Sequence, residues 1–222
     1  MMRHGSALQV AVSLMAHLRP ACTRIEIAGS IRRGKAEVKD IELVAVPDLM
    51  PVPRERPEFG KPIPPVYKTQ LEKMLMEMRD DGAVQFTKWG ERYKQLYLKY
   101  AGIAVDLFLV LPPAQWGVQM VIRTGPAEFG HWLVTRRCKG GGLPDHLIVQ
   151  DGVVGERVMG AKGFERQGQI STPEEIDFLN LCGLGWIEPK DRVARWDRTP
   201  IALRALPPND PSKSTQDNLG EE

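Results

Sequence analysis

"AGSIRRGKAEVKDIELVAV", residues 28–46, puts a Gly-Ser pair, the bases Arg32, Arg33, Lys35 and Lys39, and the acids Asp40 and Glu42 into one short span. Its second half, "KDIELVAVP", reads as a strand: apolar at Ile41, Leu43, Val44, Ala45 and Val46, and stopped by Pro47. Side chains alternate along a strand, so Asp40 and Glu42 leave the same face about 6–7 Å apart. Two carboxylates so placed need a positive partner, a proton or a metal ion. Upstream, "TRIEIAG" alternates Ile25 and Ile27 and ends at Gly29, as a strand entering a tight turn does. The two strands are expected to pair as neighbours in a mixed or antiparallel sheet.

An Asp-x-Glu pair suits a solvated edge strand as well as a metal site. A third acid tips the balance: Asp106 is the one polar residue in "IAVDLFLV", a later strand candidate. Oxygen-only ligands favour Mg²⁺, which keeps waters and takes substrate phosphate into its shell. The Gly-Ser turn is the complement, since Gly29 permits close backbone approach, Ser30 offers a hydroxyl, and exposed N–H groups at such a turn hold phosphate oxygens.

Outward from this stretch, "SALQVAVSLMAHLRP" spaces Leu8, Val12, Met15 and Leu18 as one helix face, with Ser6 as N-cap and Pro20 as stop. Residues 47–65 hold seven prolines and read as an irregular insertion. "YKTQLEKMLMEMRDDG" resumes helical spacing at Leu71, Met74, Leu75 and Met78 and ends at Gly82; its methionine stripe reads as core packing. "AVQFTKWG" and "YKQLYLKY" form a hairpin about Gly90. From Trp116 the pattern changes to a helix broken near "RTGPAEF", a second helix through "AEFGHWLVTRRC", a Gly-rich turn, short strands at "HLIV" and "GVVG", and a helix opened by Thr172 and Pro173. The expected organisation is α+β, with a first domain over 1–115, a smaller α+β domain over 116–198, and a disordered tail over 199–222.

Composition limits the classes. With 222 residues, 42% apolar and 26% charged, the chain can bury a real core and is not globally disordered. The formal charge of +2 hides an asymmetry: residues 207–222 carry four acids against one lysine, a net of −3, leaving +5 on residues 1–206. That body is basic enough to permit nucleic acid without demanding it. Cys22, Cys138 and Cys182 are odd in number and lack C-x-x-C spacing, which implies reduced, mostly buried thiols in a cytoplasmic protein. The four scattered histidines argue against zinc, and no apolar run reaches the roughly 18 residues of a membrane span.

Taken together, Gly29-Ser30, nine further residues, Asp40-x-Glu42 and a distant third acid resemble the nucleotidyltransferase superfamily that includes DNA polymerase beta. "GSIRRG" is closer still to family X DNA polymerases, in which GS-x-RRG precedes the acidic pair. "RTGPAEF" is similar to that family's Thr-Gly turn, at Thr124 and Gly125. "STPEEIDFLNLCGLGWIEPKDR" is similar to its final segment, an acidic helix followed by an aromatic and EP-x-x-R, at Trp186, Glu188, Pro189 and Arg192. The resemblance runs over about residues 25–195. Differences are visible as well: Glu42 stands where family X polymerases usually carry Asp. Ile122 and Arg123 stand where the family has aromatics that screen the ribose 2′-position, and Ala127 and Gly130 at positions that usually contact the base.

The resemblance implies a palm with a mixed sheet flanked by helices, then a thumb-like subdomain, with no counterpart of the lyase or helix-hairpin-helix modules. It implies template-directed transfer of nucleotides from dNTPs to a primer 3′-hydroxyl, with two Mg²⁺ ions, or Mn²⁺ as substitute, on Asp40, Glu42 and Asp106. The nucleotide would meet Gly29, Ser30, Arg33, Lys39, Arg123, Thr124 and Gly125. Gapped or primer-template DNA would meet Lys88, Arg92, Lys94 and Lys99, interleaved with Trp89 and Tyr93, and Arg136, Arg137 and Lys139 on the thumb. Arg54, Arg56 and Lys61 of the Pro-rich arm are further candidates. A monomer without membrane contact is expected. Two alternatives stay open: a template-independent transferase acting on RNA, protein or a small molecule, and an inactive DNA-binding relic.

Overall fold

The alternation that marks residues 40–47 as a strand also decides the layering, because one set of side chains is apolar and the other begins with two acids. The structure, a computed structural model, describes residues 1–50, 68–161 and 163–193. Its first elements are β1 (Met2–Arg3), α1 (His4–Leu18), β2 (Cys22–Ile27), α2 (Gly29–Arg32), β3 (Glu37–Val38) and β4 (Asp40–Pro47). There follow β5 (Leu49–Met50), β6 (Lys68–Thr69), α3 (Gln70–Asp80), β7 (Val84–Trp89), β8 (Tyr93–Leu98) and β9 (Ile103–Leu109). Five strands form one sheet in the order β2-β4-β9-β8-β7. β4 and β9 run parallel while the other neighbours are antiparallel, so the sheet is mixed and flanked by helices.

Ile41, Leu43 and Ala45 of β4, Leu96 and Leu98 of β8, and Val105, Leu107 and Leu109 of β9 belong to one buried cluster with residues of α1 and α3. α3 is opened by a reciprocal cap, in which Thr69 accepts from the Glu72 amide and Glu72 reaches back to the Thr69 amide. It buries Leu71 and Leu75, with Met74 and Met78 packed beside them as the spacing predicts.

α1 corrects an expectation. The helix starts at His4, two residues before the expected cap at Ser6, and buries Ala7, Ala11, Leu14 and Leu18. Leu8 and Val12, assigned to the inner face from the sequence, are exposed. Both stripes are apolar at helical spacing. The one with two alanines lets the helix lie close to the sheet, where longer side chains would hold it away.

The opposite sheet face carries Asp40, Glu42 and Asp106 at one end; toward the other, Val44 and Phe108 are covered by Trp116 and Met120 of α4 (Trp116–Thr124). The chain continues through α5 (Ala127–Val134), β10 (Leu147–Gln150), β11 (Val153–Gly160), β12 (Gly163–Ile170) and α6 (Glu175–Leu181). Val118, Val121, Phe129, Trp132, Leu147, Val154, Phe178 and Leu179 form a second buried cluster.

Three features here differ from the sequence reading. α5 ends at Val134, short of "TRRC". β12 is an additional strand, made mostly of polar residues and glycine, without the apolar alternation that marks β4 and β9. α6 is capped by Glu174 and Asp177 rather than by Thr172, whose amide and hydroxyl both donate to the Gln115 side-chain carbonyl. Cys22 and Cys182 are buried, and burial first of all pushes both thiols up to about 12; Cys138 is exposed. Among the described residues no helix is long and apolar enough to cross a membrane. Most of the Pro-rich insertion, including Arg54, Arg56 and Lys61, and the whole of the 199–222 tail lie outside the described residues.

Candidate active site

Register assembles the acids. The parallel ladder pairs Glu42 with Asp106, and Asp40 is two residues from Glu42 on the same side. Sixty-odd residues of chain separate Asp106 from the other two, yet the sheet makes them neighbours. On the far side of β9, Gln95 is the register partner of Asp106. Asp106 Oδ1 accepts from the Gln95 side-chain amide at 2.9 Å and from the Tyr93 hydroxyl at 2.8 Å. β8 therefore aims this carboxylate.

Glu42 is held from the other direction. α2 begins at Gly29 with φ +60°, and its Ser30 amide donates to Glu42 Oε2 at 3.3 Å. A Cβ at Gly29 would lie 1.5 Å from that oxygen, so the position admits only glycine while the carboxylate stays where it is. The expected tight turn is thus the first turn of a short helix pressed onto the acid.

Burial first, then the charge of Asp40, raises Glu42 to about 7; Arg33 and the Ser30 amide pull the other way. Asp40 is also raised, by burial and then by Asp106. Among the described residues no three His, Cys, Asp or Glu side chains converge into a ligand group. The geometry explains this: Glu42 turns to α2 and Asp106 to β8. The cluster is an acidic face on which Glu42 and Asp106 are held separately.

A cost in stability follows. Glu42 in the folded chain keeps a proton that the unfolded chain has lost between pH 4.5 and about 7. Folding therefore weakens as pH rises through that window. In EDTA at pH 8 we expect Glu42→Gln to be more stable than the natural protein by on the order of 2 kcal/mol, the gap closing toward pH 4.5. Urea midpoints at the two pH values check this, and equal midpoints at pH 8 would remove the argument.

Two arginines flank the acids. Arg33 donates to the carbonyls of Thr124 at 2.7 Å and Gly125 at 3.1 Å, which brings the Thr-Gly turn to the α2 loop. Arg123 lies 4.0 Å over the Phe108 ring, and Phe108 stacks on Tyr93. Burial lowers Arg123, against the opposing charges of Glu42, Tyr93 and Asp106. Ser30 Oγ, Arg33 Nε and Arg123 Nε are three of the five buried side-chain polar atoms without a hydrogen-bond partner among the described residues. Such atoms are uncommon in native proteins, and these three of the five lie around the acids.

Arg32, next to Arg33, donates to the Thr124 hydroxyl at 2.7 Å and to Glu175, which also accepts from Arg192 at 2.7 Å. Glu175 and Arg192 are 5% and 1% exposed. This buried triad ties α2 to α6 and to the segment after it. Nothing in the local pattern of the helix start at Thr172 and Pro173 signals this role for Glu175; the EP-x-x-R match at Arg192 is its one trace in the sequence. Burial raises the Glu175 carboxyl, but the bonds from Arg32 and Arg192 outweigh it and hold the group below 4.5.

The remaining candidates disperse. Lys39 is exposed beside Asp40. Lys88 is exposed, its ammonium 5.6 Å from the Tyr93 ring on the acid-bearing face. Arg92 is exposed and donates to the Pro112 and Asp151 carbonyls. Lys94 is a correction: it is fully buried, bonded at 2.8 Å to both the Glu72 carboxylate and the Gly90 carbonyl, and lies 4.0 Å from the Trp89 ring. Alternation puts it on the face opposite Tyr93 and Gln95, so it offers nothing to DNA. Arg137 spends its guanidinium on the Gly142 and Cys182 carbonyls, while Lys139 is exposed and Arg136 half-buried. Lys99 is exposed at the far end of the hairpin.

No protein-family model matches the sequence, and no curated protein matches it either.

Proposed function

We propose that this chain is a Mg²⁺-dependent nucleotidyltransferase of the family X DNA polymerase type, extending a primer 3′-hydroxyl from dNTPs under template direction. The observation that carries the reading is the juxtaposition of three carboxylates on one sheet face with Ser30, Arg33 and Arg123, whose buried polar atoms lack partners. An acidic face bordered by a hydroxyl and by guanidinium groups that each keep an unpartnered N–H suits a metal-bound triphosphate, since the donors take phosphate oxygens and the acids take the cation.

The donor set fits Mg²⁺ in its chemistry: Asp40, Glu42 and Asp106 offer oxygen donors from one face of two adjacent parallel strands. When bound, the ion would neutralise phosphate charge and lower the pKa of a coordinated hydroxyl. Ser30 and Arg33 would hold the leaving phosphates. Asp106, aimed by Tyr93 and Gln95, would orient the attacking hydroxyl, and the α4 end bearing Thr124 and Gly125 would close the nucleotide against α2 through Arg33.

Primer extension tests the reading. Asp40→Asn should lower single-nucleotide incorporation by at least about a thousandfold while leaving the thermal midpoint unchanged or higher. Undiminished incorporation in that variant would remove the site assignment. Equal use of all four nucleotides opposite every template base would shift the reading to template-independent transfer.

A further inference from the structure

The β11–β12 ribbon leaves the second core after Val154 and Gly155: from Glu156 to Gly160 and from Gly163 back to Gly168, no residue with described placement is buried. At about 3.3 Å per residue the two strands reach roughly 15 Å beyond that core. Register divides the ribbon into two unlike faces. Arg157 pairs with Arg166 and Met159 with Phe164, so these four share one face. Glu156, Val158, Glu165 and Gln167 share the other.

The first face is costly as it stands. Met159 is 71% and Phe164 48% exposed. Two arginines directly opposite one another repel, and neither is paired with an acid among the described residues. Arg157 folds over the Phe164 ring, and Arg166 donates to the Gly168 carbonyl with its Nε buried and without a partner. A pair of cations two residues from an apolar tip, with the acids turned to the reverse side, complements a polyanion that also offers apolar surface.

We propose that this face of the β11–β12 ribbon is a grip for duplex DNA, Arg157 and Arg166 taking phosphates and Met159 with Phe164 entering the groove. The major groove admits a two-stranded ribbon, and apolar side chains there make contact with thymine methyl groups. Bridging by phosphate removes the Arg157–Arg166 repulsion, which makes the contact favourable beyond simple attraction. The grip goes beyond the transfer reading, since it involves none of the residues assigned to that chemistry.

The test is binding of a fluorescein-labelled duplex oligonucleotide to the full chain, followed by anisotropy between about 50 and 200 mM salt. Arg157→Gln/Arg166→Gln should weaken binding about tenfold or more and reduce the slope of log K against log salt by about 1.8, two phosphate contacts' worth. Arg157→Lys/Arg166→Lys should keep the slope, and Met159→Ser/Phe164→Ser should weaken binding while keeping it. Circular dichroism confirms that each variant is folded, and if the glutamine pair is not, the Met159→Ser/Phe164→Ser pair carries the test, undiminished affinity in it overturning the proposal. Affinity within twofold of the natural protein and an unchanged slope in the glutamine pair would overturn the proposal and leave the face to a protein partner. Duplex binding that depends on the ribbon in a protein that incorporates no nucleotide would sink the transfer reading and leave this one standing.

Discussion

Glu175→Ala lowers the unfolding free energy by about 3–5 kcal/mol, the cost of leaving buried charge without its partner. The substitution strands Arg32 and Arg192 together, and Arg192 has no exposed side-chain surface on which to rehydrate. The neighbouring bridge gives the contrast: Arg24 is bidentate to Glu174, but both side chains are at least a third exposed. Arg24→Ala therefore costs under about 1 kcal/mol for the ion pair, together with whatever its stacking over Trp116 contributes. Urea unfolding of the two variants tests the ranking, and equal losses would show that burial is not what makes the triad matter. Acid adds a second reading of the same group. Its folded pKa is depressed, so its contribution is present above 4.5 and disappears as pH falls through the lower folded value. The natural protein should thus lose stability below pH 4.5 more steeply than Glu175→Gln.

Gly29→Ala carries the second large effect, and Gly34→Ala is its control. Both residues have left-handed backbones, φ +60° and +69°, so alanine costs each about 1–2 kcal/mol. Around Gly34 a Cβ meets nothing within 4 Å, whereas at Gly29 it meets the Glu42 carboxylate. Glu42 must then swing away from the Ser30 amide, and misplacement of about 1 Å at a reacting centre costs on the order of a hundredfold in rate. The expected result is comparable destabilisation in the two variants with incorporation lost only in Gly29→Ala. If both variants retain activity, close contact between α2 and Glu42 is not what positions the acid.

Where a residue's fate depends on period, the sequence was readable. β4 and β9 announce themselves by alternation, and the three acids stand out because each interrupts or opens an apolar run. The neighbouring of β2 and β4 follows from the short connection between them, and α3 from its apolar spacing. Reading failed where two answers share one pattern. α1 has two apolar stripes, and packing distance chose the one with alanines. Lys94 and Lys88 both lie in a basic, aromatic hairpin, and a bulge between Phe86 and Lys88 resets the alternation on β7. After it Lys88 shares the acid-bearing face with Tyr93 and Gln95, while Lys94 is sealed among core residues with Glu72.

By itself the sequence determined the strand periods, the identity of the acidic set and the presence of a Gly-Ser-basic segment beside it, since these depend on neighbours within a few residues. Only the tertiary structure decided that Asp106 pairs with Glu42, that Tyr93 and Gln95 aim it, and that Glu175 joins Arg32 to Arg192. Each of those contacts spans from 11 to 143 positions of chain, and no local pattern encodes a register or a burial that exists only once the sheet and the second core have met.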